Sequence, residues 1–268
     1  MPDLWSDLVS CLDLSATPSG DDVFEGRNLR LPYSRVFGGQ LLGQFVRAAT
    51  AGIPDKSIKS LHTVFAREGR TDEPIRYRVH RHHAGRSFAT LSLVAEQSTG
   101  VVATASVSLH AEEQGPHRQS VAAPPELLSA EHKVEWDLLP WETRASVDLD
   151  DLGAAPPEFE FWMRTPQVDP ALAPALTAYA TDLTLIGTAL LPLDGYAQGG
   201  NGTAFVSAVT SHTLWFHRRF RTDEWLLLRQ HSPLLAQARA YGRGDILTED
   251  GTLVASYAQE AMVRIPQT

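Results

Sequence analysis

Gly38 and Gly39 stand where the chain enters a helical pattern, and Gly43 follows one turn later. The first N–H groups of a helix lack partners and lie at its positive end. Opened by glycines, such a start can bring bare donors against an oxygen that gains negative charge during a reaction. The same glycines can instead let helix and sheet pack closely. Asp182 is a carboxylate in an otherwise apolar helical stretch, able to serve as an acid or base or to cap and pair locally. His80, His82 and His83 invite a metal reading. They are interleaved with arginines that repel a cation and lack a nearby carboxylate, so a solvated strand face is expected and no metal site.

The elements that must position these residues follow from periodicity. Leu41, Leu42, Phe45, Val46 and Ala49 lie on one face of a helix expected over 37–50. Strands are expected over 57–67, 75–82, 86–97 and 101–110, the second alternating Ile75, Tyr77 and Val79 with Arg76, Arg78 and His80. Residues 119–157, bracketed by Pro124-Pro125 and Pro156-Pro157, read as a connector. The pattern then restarts with a strand at 159–163 and one helix over 174–190. Strands at 205–217, 224–230, 236–247 and 253–264 complete it. "LHTVF" at 61–65 lies over "SHTLWF" at 211–216, and "VVATASV" at 101–107 over "LVASYAQ" at 253–259, as in a duplication. The domains expected are residues 1–118 and 158–268, joined by 119–157.

The chain has 268 residues, 43% of them hydrophobic, enough for a substantial core. A net charge of −9 argues against nucleic acid or an anionic membrane as partner. Cys11, the single cysteine, permits no internal disulfide, so a reducing cytoplasm is expected. The start, MPDLWSDL, lacks the basic and apolar segments of a signal peptide. No apolar run reaches the roughly 20 residues of a membrane span.

A helix laid across an antiparallel sheet, twice in one chain, resembles a double hotdog, an α+β fold. "RVFGGQLLGQ" at 35–44, "YATDLTLIG" at 179–187, "HTLWFHRRFRTDEWLL" at 212–227 and "GTLVASYAQE" at 251–260 resemble the type II acyl-CoA thioesterase family. The resemblance runs from about Val36 to the C-terminus and is poorest in the connector. It implies hydrolysis of fatty acyl-CoA to free fatty acid and coenzyme A, without metal or bound cofactor. It also implies an aspartate, a serine or threonine, and a glutamine around the attacking water.

The glutamine is Gln259. The aspartate position holds Ser211, and the hydroxyl position holds Pro233 beside Ser232. A serine hydroxyl cannot replace a carboxylate as base near neutral pH without its own activator, which leaves Asp182 as the nominated carboxylate. A one-residue slip in the strand would bring Ser232 round. Strand alternation sets Ser211, Thr213, Trp215 and His217 on one face, taken as the site face. His62 and His212 then fall on the other, giving His62 a weaker claim and His212 the weakest. Trp162, Trp215 and Phe216 are candidates to line an acyl tunnel. Arg76, Arg78 and Arg86, or Arg218, Arg219 and Arg221, are alternative contacts for coenzyme A phosphates.

The second reading is a catalytically degenerate acyl-CoA or acyl-chain binding protein of the same fold, favoured by Ser211 and Pro233. A hydratase-type lyase comes last, because its spaced aspartate and histidine are not found. A homodimer is expected from the fold.

Overall fold

Asp3 caps the first helix, α1 (Leu4–Cys11), its carboxylate accepting hydrogen bonds from the backbone of Trp5 and Ser6. The computed structural model describes residues 3–17, 22–31 and 33–266. Met1 and Thr268, the outer limits of the expected domains, lie outside them. After α1 come β1 (Ser15–Ala16), β2 (Val23–Gly26) and α2 (Gly38–Ala51), then β3 (Ser57–Phe65), β4 (Ile75–Ala84), β5 (Phe88–Gln97) and β6 (Gly100–His110). The second part of the chain supplies β7 (Lys133–Val134), β8 (Glu142–Ala145), β9 (Glu158–Arg164), α3 (Ala173–Ala180) and α4 (Leu185–Leu190). It ends with β10 (Val206–Phe216), β11 (Leu226–Ala236), β12 (Arg239–Thr248) and β13 (Leu253–Arg264). Strand order is β1-β2-β4-β5-β6-β3 in the first part of the chain and β13-β12-β11-β9-β8-β7 in the second.

Two units divide these elements. The first comprises Met1–Arg118, Ala171–Ala180 and Thr213–Phe216. Its sheet alternates as the sequence requires: Ile58, Leu61 and Thr63 of β3 are buried while Lys59, His62 and Val64 are exposed. The apolar face expected on α2 is buried, but so are Gly39, Gln40, Gly43 and Gln44. This helix is enclosed on nearly every side, because α3 packs against it as well as the sheet. Gln44 satisfies the interior, with Nε2 donating to the carbonyls of Cys11 and Arg27 and Oε1 accepting from Tyr77 Oη at 2.6 Å.

The second unit comprises Gln119–Pro170, Thr181–His212 and His217–Thr268. Here the expected connector does more than connect. Its strands β7 and β8 extend the sheet beyond β9, and Val121, Leu127 and Leu128 pack on Trp162, Trp225, Leu227 and Leu247. Arg229 donates to the carbonyls of Ala122 and Ala123, fixing the covering segment. Helix α4 lies on β11 and β12, where Ala189 and Leu190 join Phe205, Ala240 and Val263 in a buried cluster.

The single helix expected over 174–190 is two. It is interrupted at Thr181–Thr184, where threonine and aspartate are weak helix formers. Their side chains bond to strands instead: Thr181 Oγ1 meets His212 Nε2 at 3.0 Å, and Thr184 Oγ1 meets Gln230. Asp182 therefore lies in a helix break and not mid-helix.

Candidate functional site

The break presents Thr181 and Asp182 to β10 and β13 of the second unit. His212, on β10, is fully buried. Its Nδ1 lies 2.9 Å from Gln259 Oε1 on β13, and its Nε2 contacts Thr181. Asp182, 5% exposed, places Oδ1 4.0 Å from the same Nδ1. The Tyr257 ring is stacked on the imidazole, with centroids 6.0 Å apart and planes 9° from parallel. Tyr257 Oη donates to Gln230 Oε1 at 2.8 Å, and Gln230 Nε2 donates to Thr184 and Thr188. The result is a buried polar cluster drawn from the helix break, α4, β10, β11 and β13, in which hydrogen bonds link Thr181, His212 and Gln259 on one side and Thr184, Thr188, Gln230 and Tyr257 on the other.

Burial sets its electrostatics. Removing the His212 ring from water penalises the imidazolium and pushes its pKa down to about 4, against the smaller opposing effect of the bond to Gln259. The ring is thus neutral at pH 7, with one nitrogen a donor and the other an acceptor. Burial likewise pushes the Tyr257 phenol well above its ordinary value.

The inward face of β10 is the one that carries His212. His212, Leu214 and Phe216 are buried, Ser211 and Thr213 are half-buried, and Trp215 is 43% exposed. Aligning the shared His-Thr of "LHTVF" and "SHTLWF" mismatched the two strands by one residue. In β3 the inward residues are Leu61 and Thr63, whereas in β10 His212 itself points in. Gln259 shares its contacts with His212, and Trp215 is too exposed to line a buried tunnel. His62 is exposed, its Nδ1 2.7 Å from Thr213 Oγ1 in the first unit. Trp162 and Phe216 are core residues.

Ser232 and Pro233 fall in β11, whose pairing with β12 shifts between His231 and Leu234. Alternation from Leu228 through Gln230 sets Ser232 inward, 4% exposed, and Pro233 outward. The Ser232 hydroxyl donates to the Tyr241 carbonyl at 2.8 Å. At the start of α2, Phe37 makes no side-chain cap. A Cβ on Gly39 would strike the Tyr179 carbonyl oxygen and the Phe37 ring, and one on Gly43 would stand 3.1 Å from the Ala175 oxygen. Close helix packing thus accounts for both. Of the arginines, Arg78 pairs with Glu96 and Arg221 with Asp223, while Arg218 binds Gln119 and the Leu253 carbonyl. His80 and His82 are exposed, their rings edge to face.

Sequence reasoning gave no role to Gln230, Tyr257 or Thr181. The spacing of Tyr257 and Gln259, two apart on β13, was the available signal, since both face one side of the strand.

A helix resting on an antiparallel sheet, once in each unit, defines the double hotdog. A hotdog-fold protein from Alicyclobacillus acidocaldarius superposes with a TM-score of 0.74 over 97% of this chain and 98% of its own, at 18% identity. The family model described as Acyl-CoA thioesterase N-terminal domain matches residues 29–110, and that described as Acyl-CoA thioesterase C-terminal domain matches 111–263. The chain is 30% identical to human acyl-coenzyme A thioesterase 8 over 98% of its own length and 91% of the relative's. It is also 30% identical to acyl-CoA thioesterase II of Mycobacterium marinum, with a TM-score of 0.81 over 97% and 99% of the two chains. The chain belongs to the acyl-CoA thioesterase family.

Proposed function

We propose that this protein hydrolyses fatty acyl-CoA to free fatty acid and coenzyme A, with Gln259 holding the attacking water. Water adds to the thioester carbonyl carbon, a tetrahedral oxyanion forms, the C–S bond breaks and the thiolate departs. The water must lose its proton as it attacks, and Asp182 is the carboxylate assigned to take it. The observation that carries the reading is the hydrogen bond of buried Gln259 to His212, beside Asp182. An amide so held is a fixed partner for water, and a carboxyl group is close by.

Release of coenzyme A from a short-to-long acyl-CoA series, by wild type and Gln259→Ala, tests this. Turnover that falls about 100-fold in the variant supports the reading. Saturable acyl-CoA binding without turnover replaces it with the degenerate binder that Ser211 and Pro233 suggest.

A homodimer and a cytoplasmic setting belong to the same proposal. Val64, Phe88 and Trp215 are exposed apolar side chains of the first unit's sheet and are available to a second copy. Among the described residues no helix is long and apolar enough to cross a membrane. Light scattering on the purified chain checks the mass.

A further inference from the structure

We infer that His212 is a positioning residue for Gln259: held as the Nδ1–H tautomer, it takes the glutamine's amide oxygen and so turns the amide nitrogen toward the reacting water. The inference rests on the hydrolase reading but concerns a residue outside the expected aspartate, hydroxyl and glutamine.

The ring has little freedom. It is fully buried, bonded at both nitrogens and stacked on Tyr257. Tyr257 is fixed at its far end by Gln230. Gly244 pairs with Tyr257 across β12 and β13, and a Cβ there would overlap the phenol ring, so that ring lies close over bare backbone. His212 is thus a rigid support on which the glutamine leans.

Two hydrogen-bond arrangements satisfy the same heavy atoms. In one, Nδ1–H donates to Gln259 Oε1 and the Thr181 hydroxyl donates to Nε2. In the other, the Gln259 amide is reversed, its nitrogen donates to Nδ1, and Nε2–H donates to Thr181. Asp182 chooses between them. A carboxyl oxygen 4.0 Å from Nδ1 attracts a proton on that nitrogen and repels a lone pair there. The first arrangement is favoured, leaving the NH2 of Gln259 as the end directed away from the ring. One N–H of that NH2 can donate to the water oxygen, which leaves the second lone pair free to attack and the water's protons for the base.

Nitrogen-15 and carbon-13 shifts of labelled histidine report the tautomer directly, with His212 assigned by its loss in His212→Asn. Nδ1–H in wild type and a shift toward Nε2–H in Asp182→Asn are expected; an Nε2–H ring in wild type overturns the inference. Kinetics supply the second readout. Asparagine sets an amide nitrogen near the Nδ1 position and glutamine sets one near Nε2. His212→Asn therefore keeps kcat within about fivefold, and His212→Gln loses roughly 100-fold with KM little changed. In the Gln259→Ala background, His212→Gln costs nothing further. An equal loss in both backgrounds, with wild type active, sinks the positioning role and leaves the hydrolase reading standing. A wild type that releases no coenzyme A sinks that reading and this inference with it.

Discussion

Gly39 and Tyr179 meet backbone to backbone: a side chain on the glycine would collide with the tyrosine's carbonyl oxygen, while the Phe37 ring packs edge-on to that of Tyr179, centroids 5.1 Å apart. Four residues on, Gly43 meets Ala175 in the same way. Residues four apart share a helix face, so the glycines form a smooth stripe on α2 for α3. Ala at position 39 gains about 1 kcal/mol of helix propensity and loses about 2–3 kcal/mol to overpacking against backbone that cannot yield. Gly39→Ala is therefore net destabilising. Gly43→Ala is milder, since the atom nearest its Cβ is the movable end of Leu12. Denaturant titrations of the two variants give the comparison, and equal or raised stability for Gly39→Ala would refute the close approach.

His212 predicts how stability depends on pH. The unfolded chain protonates this histidine below about 6.5, whereas the folded chain resists until about 4. Below 6.5 the unfolded state binds more protons, so this contribution is full above that pH and is lost as pH falls toward 4. The loss reaches about 3 kcal/mol. Urea midpoints measured from pH 7 to pH 4 should fall more steeply for wild type than for His212→Asn, which carries no titrating group there. Parallel profiles would mean that His212 is not held neutral.

Much of this arrangement was legible in the sequence. Alternation located β3 to β6 and β9 to β13, because one face of each is covered and the other is open or differently covered. The helix break was not legible, since apolar periodicity runs through Leu176, Tyr179, Ala180, Leu183 and Ile186 without interruption. Only the bonds of Thr181 and Thr184 to β10 and β11 reveal why the helix yields. Ser232 was found only as a neighbour of the expected position, although alternation with Leu228 and Gln230 sets it inward. Which face of β10 points inward was not legible either, since the resemblance sets attention on Ser211 while burial, which selects His212, emerges only in the folded sheet.

Gln230 joins Tyr257, Thr184 and Thr188 with no apolar substitute for its amide. Gln230→Leu leaves three buried hydroxyls short of a partner and costs about 2–4 kcal/mol, whereas Tyr257→Phe removes one bond and costs about 1 kcal/mol. Thermal melts should rank them in that order. The reverse ranking would mean that Gln230 is not the hub.

Trp225 has two guanidinium groups against its ring, Arg144 at 4.4 Å and Arg164 at 4.6 Å from the centroid. Glu142 holds both arginines, and Arg144 also donates to the Leu128 carbonyl of the covering segment. Arg144→Ala should cost about 1–2 kcal/mol through lost stacking and packing. It should also shift tryptophan emission to the red as water reaches the ring. Unchanged emission would place the arginine outside the cover of Trp225.

Asp182 and Ser211 make opposite predictions for catalysis, although the resemblance points to the serine's position. Ser211 is half-buried and adjacent to the inward His212, so alternation turns it off the face that carries Gln259's partner. Asp182 is buried and lies beside the ring that holds Gln259. A base removed from such a site costs about 100-fold to 10,000-fold in turnover, while a hydroxyl facing elsewhere costs little. Asp182→Asn, nearly identical in shape, should therefore abolish most coenzyme A release and leave acyl-CoA binding intact. Ser211→Ala should stay within about threefold of wild type. If Ser211→Ala loses activity and Asp182→Asn keeps it, the water is activated from the serine side of β10, and Asp182 serves only to orient the histidine.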